Sequence, residues 1–286
     1  MQTDFLEWQY AEGCRARIRY VTLGKAASQP PLLFIHGYGA MIEHWKHNLP
    51  YFALARQVFA MDLLGFGQSD KPPAMYGLPL WAEQIHFFLE TLRLPAVVLV
   101  GHSMGGAACL WFAHHFPKQL SALVLVNASG IFPDEVSPIE KLLYRAVGSP
   151  LIGEAMFGLF ANSFGARQSL VPTYYDVSKV TDELVEQFAQ PLRSNGAMYA
   201  YLAPSRYPER FVLTQLPRPC HFTGRTLIVW GKYDRAFPPE KILPKFLELL
   251  PQAQSVIIDR TRHCPHDEDP DTFNAALSDF LAAAAD

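Results

Sequence analysis

The stretch that decides the fold is VVLVGHSMGGAACLWFA, residues 97–113. Its first four residues form a short, continuous and β-branched apolar run, which is typical of a buried strand. Small and apolar residues follow Gly105 in a pattern that predicts a helix. Gly101 and Gly105 lie two places before and after Ser103, so the chain can turn sharply with the serine at the apex. The pattern therefore predicts a strand–turn–helix unit that presents the Ser103 hydroxyl at the carboxyl edge of a sheet.

Two later segments supply a candidate base and a candidate acid for this serine. A serine is a weak nucleophile until a base accepts its proton, and the base needs an acid to orient it. Asp234 follows the apolar run TLIVWG, residues 226–231, and His263 follows the run SVII, residues 255–258. The order serine, aspartate, histidine, with the last two members each beyond a strand, predicts a catalytic triad of Ser103, Asp234 and His263.

The chain resembles the α/β-hydrolase superfamily almost from end to end. The serine turn looks like the nucleophile elbow of that superfamily. The other matching motifs are LLFIHGYG at residues 32–39, MDLLGFGQSDKP at 61–72, WGKYD at 230–234 and HCPHDE at 263–268. The second and the last of these motifs look most like those of plant and cyanobacterial members, which include the pheophytinase and chlorophyll-dephytylase group.

The resemblance implies roles for single residues. His263 matches the position of the catalytic histidine, so it is preferred to His266 as the base. The segment with Tyr38 looks like the oxyanion segment, and Met104 follows the nucleophile, so their backbone N–H groups are the expected oxyanion hole. Arg262 departs from the pattern, because the family has glycine before the histidine. Glycine tolerates a positive φ that is costly for arginine, so we expect the histidine loop to bend differently.

Other titratable residues are alternatives to this assignment. Asp62, in the turn after an earlier strand, and Asp259, at the end of the last strand, are alternatives to Asp234 as the acid. Asp62 is interpreted as a residue that shapes its own loop. Cys264 lies between His263 and His266, a grouping that also suggests a metal site. No second pair of ligands accompanies it, so we expect no metal and no cofactor.

The order of apolar runs predicts how the chain divides. Alternation over residues 5–23 predicts a β-hairpin. Later apolar strands with helical stretches between them predict right-handed crossovers and a mainly parallel sheet; they lie near residues 32–36, 57–61, 97–100 and 122–126. The strand rhythm is lost over residues 131–219 and returns at Thr226. We therefore predict an α/β-hydrolase core, a mainly parallel twisted sheet flanked by helices, of residues 1–130 and 220–286, with a helical cap of residues 131–219 inserted.

The apolar content of the predicted cap bears on the substrate. Met156, Phe157, Phe160 and Phe164 are spaced as one helical face, which favours packing onto the core for the set. A subset is expected to face the cavity, and Met156, Phe157 and Phe160 are the candidate substrate-binding residues. A cap with few charges favours a small lipophilic substrate over a sugar or a polyanion.

Composition narrows the classes of partner. The 286 residues carry a net charge of −3 and no cluster of Lys and Arg, which argues against a nucleic-acid partner. The four cysteines show no disulfide framework, and no apolar run approaches the roughly 18 residues of a membrane span. We expect no transmembrane span and a cytoplasmic location, or the plastid stroma or thylakoid surface for a photosynthetic source. Peripheral contact with a membrane stays open.

The serine at position 103 indicates acyl transfer, because the dehalogenases and epoxide hydrolases of this fold use aspartate there. The main expectation is hydrolysis of a lipophilic carboxylic ester through an acyl-enzyme, with the phytyl ester of chlorophyll or pheophytin as the specific example. Carbon–carbon bond hydrolysis of diketones and perhydrolysis are alternatives that use the same triad, and thioester or amide cleavage also stays open. A ligand-binding receptor with the hydrolase fold is the alternative from another class.

Overall fold

The computed structural model describes residues 2–132 and 138–283. Within these residues eight strands form one sheet, in the order β1-β2-β4-β3-β5-β6-β7-β8. The strands are β1 (Gln2–Ala11), β2 (Cys14–Leu23), β3 (Leu32–Ile35), β4 (Val58–Met61), β5 (Val97–His102), β6 (Leu120–Val126), β7 (Thr226–Gly231) and β8 (Gln254–Ile258). The predicted α/β fold class is therefore confirmed.

The sheet is antiparallel at one edge and parallel elsewhere. The strands β1 and β2 form the predicted hairpin, and β2 also pairs antiparallel with β4. Every pair from β4 through β3, β5, β6 and β7 to β8 is parallel. Parallel strands that are covered on both faces show continuous apolar runs rather than alternation, which explains why these runs stand out in the sequence.

Helices cover both faces of the sheet. The helices are α1 (Leu49–Ala53), α2 (Leu78–Thr91), α3 (Met104–His115), α4 (Pro138–Gly148), α5 (Pro150–Phe160), α6 (Ser163–Leu170), α7 (Asp182–Leu192), α8 (Ala197–Arg206), α9 (Pro239–Leu249), α10 (Pro265–Glu268) and α11 (Pro270–Ala282). Along β3, Leu33 and Ile35 join a core cluster with α2, α3 and α9. Leu32 and Phe34 join a second cluster with α1 and α11. This division follows from the alternation of side chains along a strand.

Helices α4 to α8 all lie between β6 and β7, in the segment predicted as the cap. A third apolar cluster joins α6 and α7 to the loop after β3 and to Cys264, so this helical insertion packs next to the carboxyl ends of the strands. Residues 133–137 of the predicted cap lie outside the described residues. Among the described helices, none has the length and apolarity to cross a membrane.

Candidate functional site

Ser103 lies at the carboxyl end of β5 with a backbone φ of 51°, in the left-handed region that side chains other than glycine rarely adopt. Its N–H donates to Val126 O at 2.9 Å, and its carbonyl accepts from the N–H of Ala107 and of Ser129. Such a conformation costs on the order of 1–3 kcal/mol and persists where the surroundings hold it. The neighbouring strand and helix therefore hold the hydroxyl in a fixed, strained position.

The small residues around the turn are required by close approaches. A Cβ built on Gly105 would lie 2.2 Å from His36 O, and one on Gly101 would lie 2.6 Å from Cys109 Sγ. Both distances are far inside van der Waals contact, so any side chain would push α3 away from the sheet. Gly101 and Gly105 are therefore needed for steric reasons, as the sequence pattern predicts.

Ser103, His263 and Asp234 lie together in one hydrogen-bonded line. The Ser103 hydroxyl donates to His263 Nε2 at 2.8 Å, and His263 Nδ1 lies 2.7 Å from Asp234 Oδ2. A carboxylate only accepts, so Nδ1 carries the imidazole proton and Nε2 presents its lone pair to the serine. All three side chains are buried. This arrangement can remove a proton from Ser103 and store it on the imidazole.

Asp234 is held ionised by the groups around it. Burial by itself raises the pKa of this carboxyl, but the charge of His263 and hydrogen bonds from His263 and Asn127 outweigh burial and lower the pKa. The other carboxylate oxygen accepts from the backbone N–H of Ala236 at 2.9 Å and of Phe237 at 3.1 Å. The carboxylate is therefore both charged and fixed in orientation.

Asn127 is a site residue that sequence reasoning missed. It follows β6 with a positive φ of 42°, and its Nδ2 donates to Asp234 Oδ2 at 2.7 Å and to Arg262 O at 3.2 Å. Its Oδ1 accepts from Gly231 N at 3.0 Å. One amide thus ties the ends of β6 and β7 to the histidine loop. The available signal was a polar residue directly after a buried parallel strand, the position that Ser103 also occupies.

The loop before His263 does not have the backbone strain that was expected at Arg262. The positive φ that was expected to strain this arginine falls on Arg260, at 53°, and Arg262 does not have a positive φ. The Arg262 N–H donates to Glu268 Oε1 at 2.7 Å. The carbonyl of Arg262 approaches the backbone of Gly231 so closely that a Cβ on residue 231 would lie 1.8 Å from Arg262 O. Only glycine fits at this position. The glycine that this loop needs is therefore on β7 and not beside the histidine.

The predicted oxyanion segment passes close to the serine. A Cβ on Gly37 would lie 3.1 Å from Ser103 Cβ, so the next residue, Tyr38, begins beside the nucleophile. The Tyr38 hydroxyl donates to Tyr201 O at 2.6 Å and anchors the loop to α8. Met104 is the first residue of α3, where backbone N–H groups have no partner within the helix. The backbone N–H groups of Tyr38 and Met104 stay the predicted oxyanion donors.

Aromatic rings line the neighbourhood of the base. The ring of Phe237 stacks on His263 with centroids 5.5 Å apart, and Phe132 contacts Phe237 at 5.8 Å. Phe132 and Tyr38 are both exposed. The surroundings of the reacting atoms are therefore apolar on the side of the imidazole.

The candidate substrate-binding residues of α5 have separate environments. Phe157 is half-buried against the core and contacts Tyr201, which in turn contacts Tyr38. Met156 and Phe160 are 38% and 47% exposed, and Phe164 is 62% exposed. The expectation that this set packs as one face onto the core is wrong for these three, because α5 ends at Phe160 and Phe164 belongs to the next helix, α6.

The alternative acids and the alternative base lie in other networks. The Asp62 carboxylate accepts from Ile42 N at 2.8 Å and Gln68 N at 2.7 Å, so it organises its own loop; burial raises its pKa. Asp259 pairs with Lys232 at 2.8 Å on the surface. His266 is fully buried and packs against His44 and His102.

The chain is similar to known proteins over most of its length. A family model described as the α/β hydrolase fold matches residues 30–270. The chain is 29% identical, over 94% of its length and 88% of the relative, to the 2-hydroxy-6-oxo-6-(2'-aminophenyl)hexa-2,4-dienoic acid hydrolase of Metapseudomonas resinovorans. It is 28% identical, over 88% of its length and 89% of the relative, to the 2-hydroxy-6-oxo-2,4-heptadienoate hydrolase of Pseudomonas putida.

A solved structure of a serine hydrolase involved in carbazole degradation superposes with a TM-score of 0.78 at 26% identity, and the match covers 98% of this chain and all of that one. The match to the family model spans the strands β3 to β8, the serine turn, the aspartate and the histidine loop. The resemblance seen in the motifs is thus confirmed, and the chain belongs to the α/β-hydrolase fold family.

Proposed function

We propose that the protein is a serine hydrolase in which Ser103 Oγ attacks a carbonyl carbon of the substrate. The observation that carries the proposal is the line from Ser103 Oγ through His263 to Asp234, with separations of 2.8 and 2.7 Å. His263 Nε2 takes the hydroxyl proton as the bond to carbon forms, and Asp234 stabilises the imidazolium. The backbone N–H groups of Tyr38 and Met104 receive the negative charge on the carbonyl oxygen.

The second half of the reaction returns the proton. His263 donates it to the group that leaves the carbonyl carbon, and an acyl-enzyme remains on Ser103. His263 then takes a proton from water, which attacks the acyl carbon and releases a carboxylic acid. Nothing in these steps depends on whether the leaving atom is oxygen or carbon, provided that the leaving group accepts the electron pair of the broken bond.

We favour a carbon–carbon bond next to a ketone as the bond that is cleaved. Both named relatives are, by their names, hydrolases of 2-hydroxy-6-oxo dienoic acids, and they match this chain over most of its length. In such a substrate the 2-hydroxydiene first tautomerises to the 2-oxo-3-ene form, in which C5 carries the transferred proton. The electron pair of the C5–C6 bond then passes into the conjugated 2-oxo system, as a dienolate, when the bond to the carbonyl carbon breaks. The apolar rings of Phe237 and Phe132 beside His263 suit an apolar group on the ketone.

A lipophilic ester is the second candidate. It is favoured by an exposed apolar surface on α5 and α6, where Leu159 and Phe160 of α5 lie beside Phe164 of α6. A long alkyl or isoprenoid chain would remove such surface from water. The phytyl ester of chlorophyll or pheophytin is the specific example that the motif resemblance supplies.

The test compares substrate classes on one preparation. Purified protein is assayed with 6-phenyl and 6-methyl 2-hydroxy-6-oxohexa-2,4-dienoate, with p-nitrophenyl esters of graded chain length, and with pheophytin. Turnover of a dienoate that exceeds ester turnover supports carbon–carbon hydrolysis, and the reverse order supports the ester. Addition of hydrogen peroxide to the ester assay tests perhydrolysis.

The Ser103→Ala variant is the matched blank for every substrate. We expect kcat to fall by several orders of magnitude, on the order of 10⁶ by analogy with serine proteases. Ser178→Ala, at an exposed serine of the short 3₁₀ helix Val177–Lys179, is the control and should keep full activity. A fluorophosphonate probe should label Ser103. Labelling of a different serine would contradict the proposed role of Ser103, and saturable substrate binding without turnover would favour a receptor.

A further inference from the structure

Three histidines that have no part in the proton transfer meet directly behind the serine turn. His44 lies in the short helical turn after β3, His102 ends β5, and His266 lies in α10. One ring nitrogen of each lies within 4.8 Å of the other two. The side chains are almost completely enclosed, with residue exposures of 3%, 3% and 0%. No local spacing in the sequence predicts this grouping, because the three residues come from distant segments.

The hydrogen bonds determine which nitrogens of His44 and His102 carry lone pairs. His44 Nε2 lies 3.2 Å from the Tyr174 hydroxyl, which itself donates to Asp267 Oδ2 at 2.6 Å. The hydroxyl proton is thus engaged, so His44 Nε2 must be the N–H that donates. His102 Nε2 lies 2.8 Å from the carbonyl oxygen of His263, which can only accept. In both rings Nδ1 is therefore the unprotonated nitrogen.

These lone pairs have no partner in the part of the chain that the structure describes. The buried nitrogens without a hydrogen bond include His44 Nδ1, His102 Nδ1 and both ring nitrogens of His266. The ring of His266 packs on Trp45 with centroids 4.2 Å apart, in an apolar setting. Buried polar atoms are nearly always satisfied, so four unsatisfied nitrogens in one cluster require an explanation.

Burial acts on the protonation of the three rings in the direction that metal binding needs. Burial lowers the pKa of His44 to about 4, and burial holds the pKa of His102 and of His266 well below the ordinary range. Burial thus favours the neutral imidazole, which is the form that binds a metal ion.

The outer contacts of His44 and His102 also match those of metal-bound histidines. Such a ligand usually donates its second ring N–H to a carbonyl or, directly or through a further group, to a carboxylate, which fixes the ring. His102 donates to the carbonyl of His263, and His44 reaches the Asp267 carboxylate through Tyr174. Asp267 is buried and contributes negative charge close to the cluster.

We propose that His44, His102 and His266 bind one divalent transition-metal ion, with Zn²⁺ as the best chemical match. Three imidazoles with no carboxylate ligand suit Zn²⁺ and disfavour Mg²⁺ and Ca²⁺, which require oxygen ligands. Zinc–nitrogen distances of about 2.0–2.1 Å place tetrahedral ligand atoms roughly 3.3 Å apart, so side-chain rotation draws the nitrogens together on binding. The fourth position is left for water or another small ligand.

The experiment measures metal binding, which does not depend on any substrate. Protein dialysed against a chelator and then buffer is titrated with ZnCl₂ by calorimetry and with CoCl₂ by visible absorption. We expect one tight ion per chain and the intense absorption bands of four-coordinate cobalt. X-ray absorption of the zinc-loaded protein should show imidazole nitrogen neighbours and no sulfur, since Cys264 is not a ligand.

Variants locate the ion. His44→Gln and His266→Gln should weaken zinc binding by at least about 100-fold, the upper end of what loss of an outer partner costs. Tyr174→Phe keeps all three ligands and should weaken binding by about 10–100-fold. The control is His221→Gln, because His221 stacks on His114 at 4.2 Å and these rings offer a competing metal site nearer the surface.

The outcomes separate the possibilities. Retained binding in His221→Gln together with loss in His266→Gln supports the proposal. Loss in His221→Gln with retention in His266→Gln, or six-coordinate cobalt spectra in the wild type, would overturn it. Circular dichroism checks that the variants fold; if they do not, the wild-type stoichiometry, cobalt spectrum and X-ray absorption decide the question.

Discussion

At the scale of single residues, the triad depends on more than its three members. Asp234 orients His263 only because its own carboxylate is held by Asn127 and by two backbone N–H groups. The imidazole is fixed from the other side by the stacked ring of Phe237. A change at any of these contacts alters the geometry at Ser103 without touching the nucleophile.

Asp234→Asn should lower kcat by roughly 10⁴, the loss that follows the same substitution in a serine-protease triad. The asparagine has nearly the same shape, but its amide no longer selects the tautomer with the proton on Nδ1 and does not stabilise the imidazolium. Steady-state kinetics on the best substrate of the panel measures the effect. Asp259→Asn is the control, because Asp259 lies on the surface in a pair with Lys232; a larger loss in this control would show that Asp259 is the acid.

Asn127→Ala should reduce both activity and stability. The N–H of Gly231 loses its acceptor in a buried position, which costs about 1–3 kcal/mol, and Asp234 loses a hydrogen bond that lowers its pKa. Urea unfolding measures the free energy of unfolding, and kcat is measured on the folded enzyme. Unchanged values of both quantities would mean that the amide has no role in holding the ends of β6 and β7 to the histidine loop.

At the scale of elements, the decisive contact is that of α3 with the end of β3. The helix follows the strained serine directly, and Gly105 in its first turn lies against the carbonyl of His36. The distance between α3 and the end of β3 is therefore set by Gly105, because this residue has no side chain.

Gly105→Ala should destabilise the protein by several kcal/mol, because the added methyl group lies 2.2 Å from a backbone oxygen that cannot move aside. Gly158→Ala, in α5, is the matched control, since nothing lies within 4 Å of a Cβ there. This control should be neutral or up to about 1 kcal/mol more stable, as alanine favours helix. Chemical denaturation of the two variants gives the comparison; equal stabilities would contradict the steric account.

At the scale of the whole molecule, the sheet positions the triad and the helical insertion holds the Tyr38 loop. The parallel strands bring Ser103, Asp234 and Asn127 to one edge, and α8 of the insertion holds the Tyr38 loop through Tyr201. The outward face of α5 adds an apolar surface that the core does not need for its packing.

If a lipophilic chain lies against this surface, kcat/KM for p-nitrophenyl esters should rise from acetate to octanoate, because each buried methylene contributes roughly 0.8 kcal/mol. Phe157→Ala should flatten this rise, since Phe157 joins α5 to Tyr201. Phe5→Ala, at an exposed phenylalanine of the N-terminal hairpin, should leave it unchanged. A preference for acetate that falls steeply beyond butyrate would exclude the lipophilic ester and leave the serine chemistry intact.

The amino-acid sequence by itself determined the features that depend on short stretches. The apolar runs of β3 to β7 predict the parallel strands, and the glycines around residue 103 predict the strained turn, because both depend on sterics within a few residues. The chain order of serine, aspartate and histidine predicts the triad, since the carboxyl ends of parallel strands meet at one edge.

Only the tertiary structure decided how distant segments meet. Asn127 reaches Asp234 across 107 residues, and Asn48 in the core reaches the backbone of His266 across 218. Gly231, the glycine that accommodates the loop residue Arg262, lies on β7, and the exposure of Met156 and Phe160 depends on which helices lie beside α5. The cluster of His44, His102 and His266 is of the same kind. Such contacts depend on strand register and helix packing, and no local periodicity carries that information.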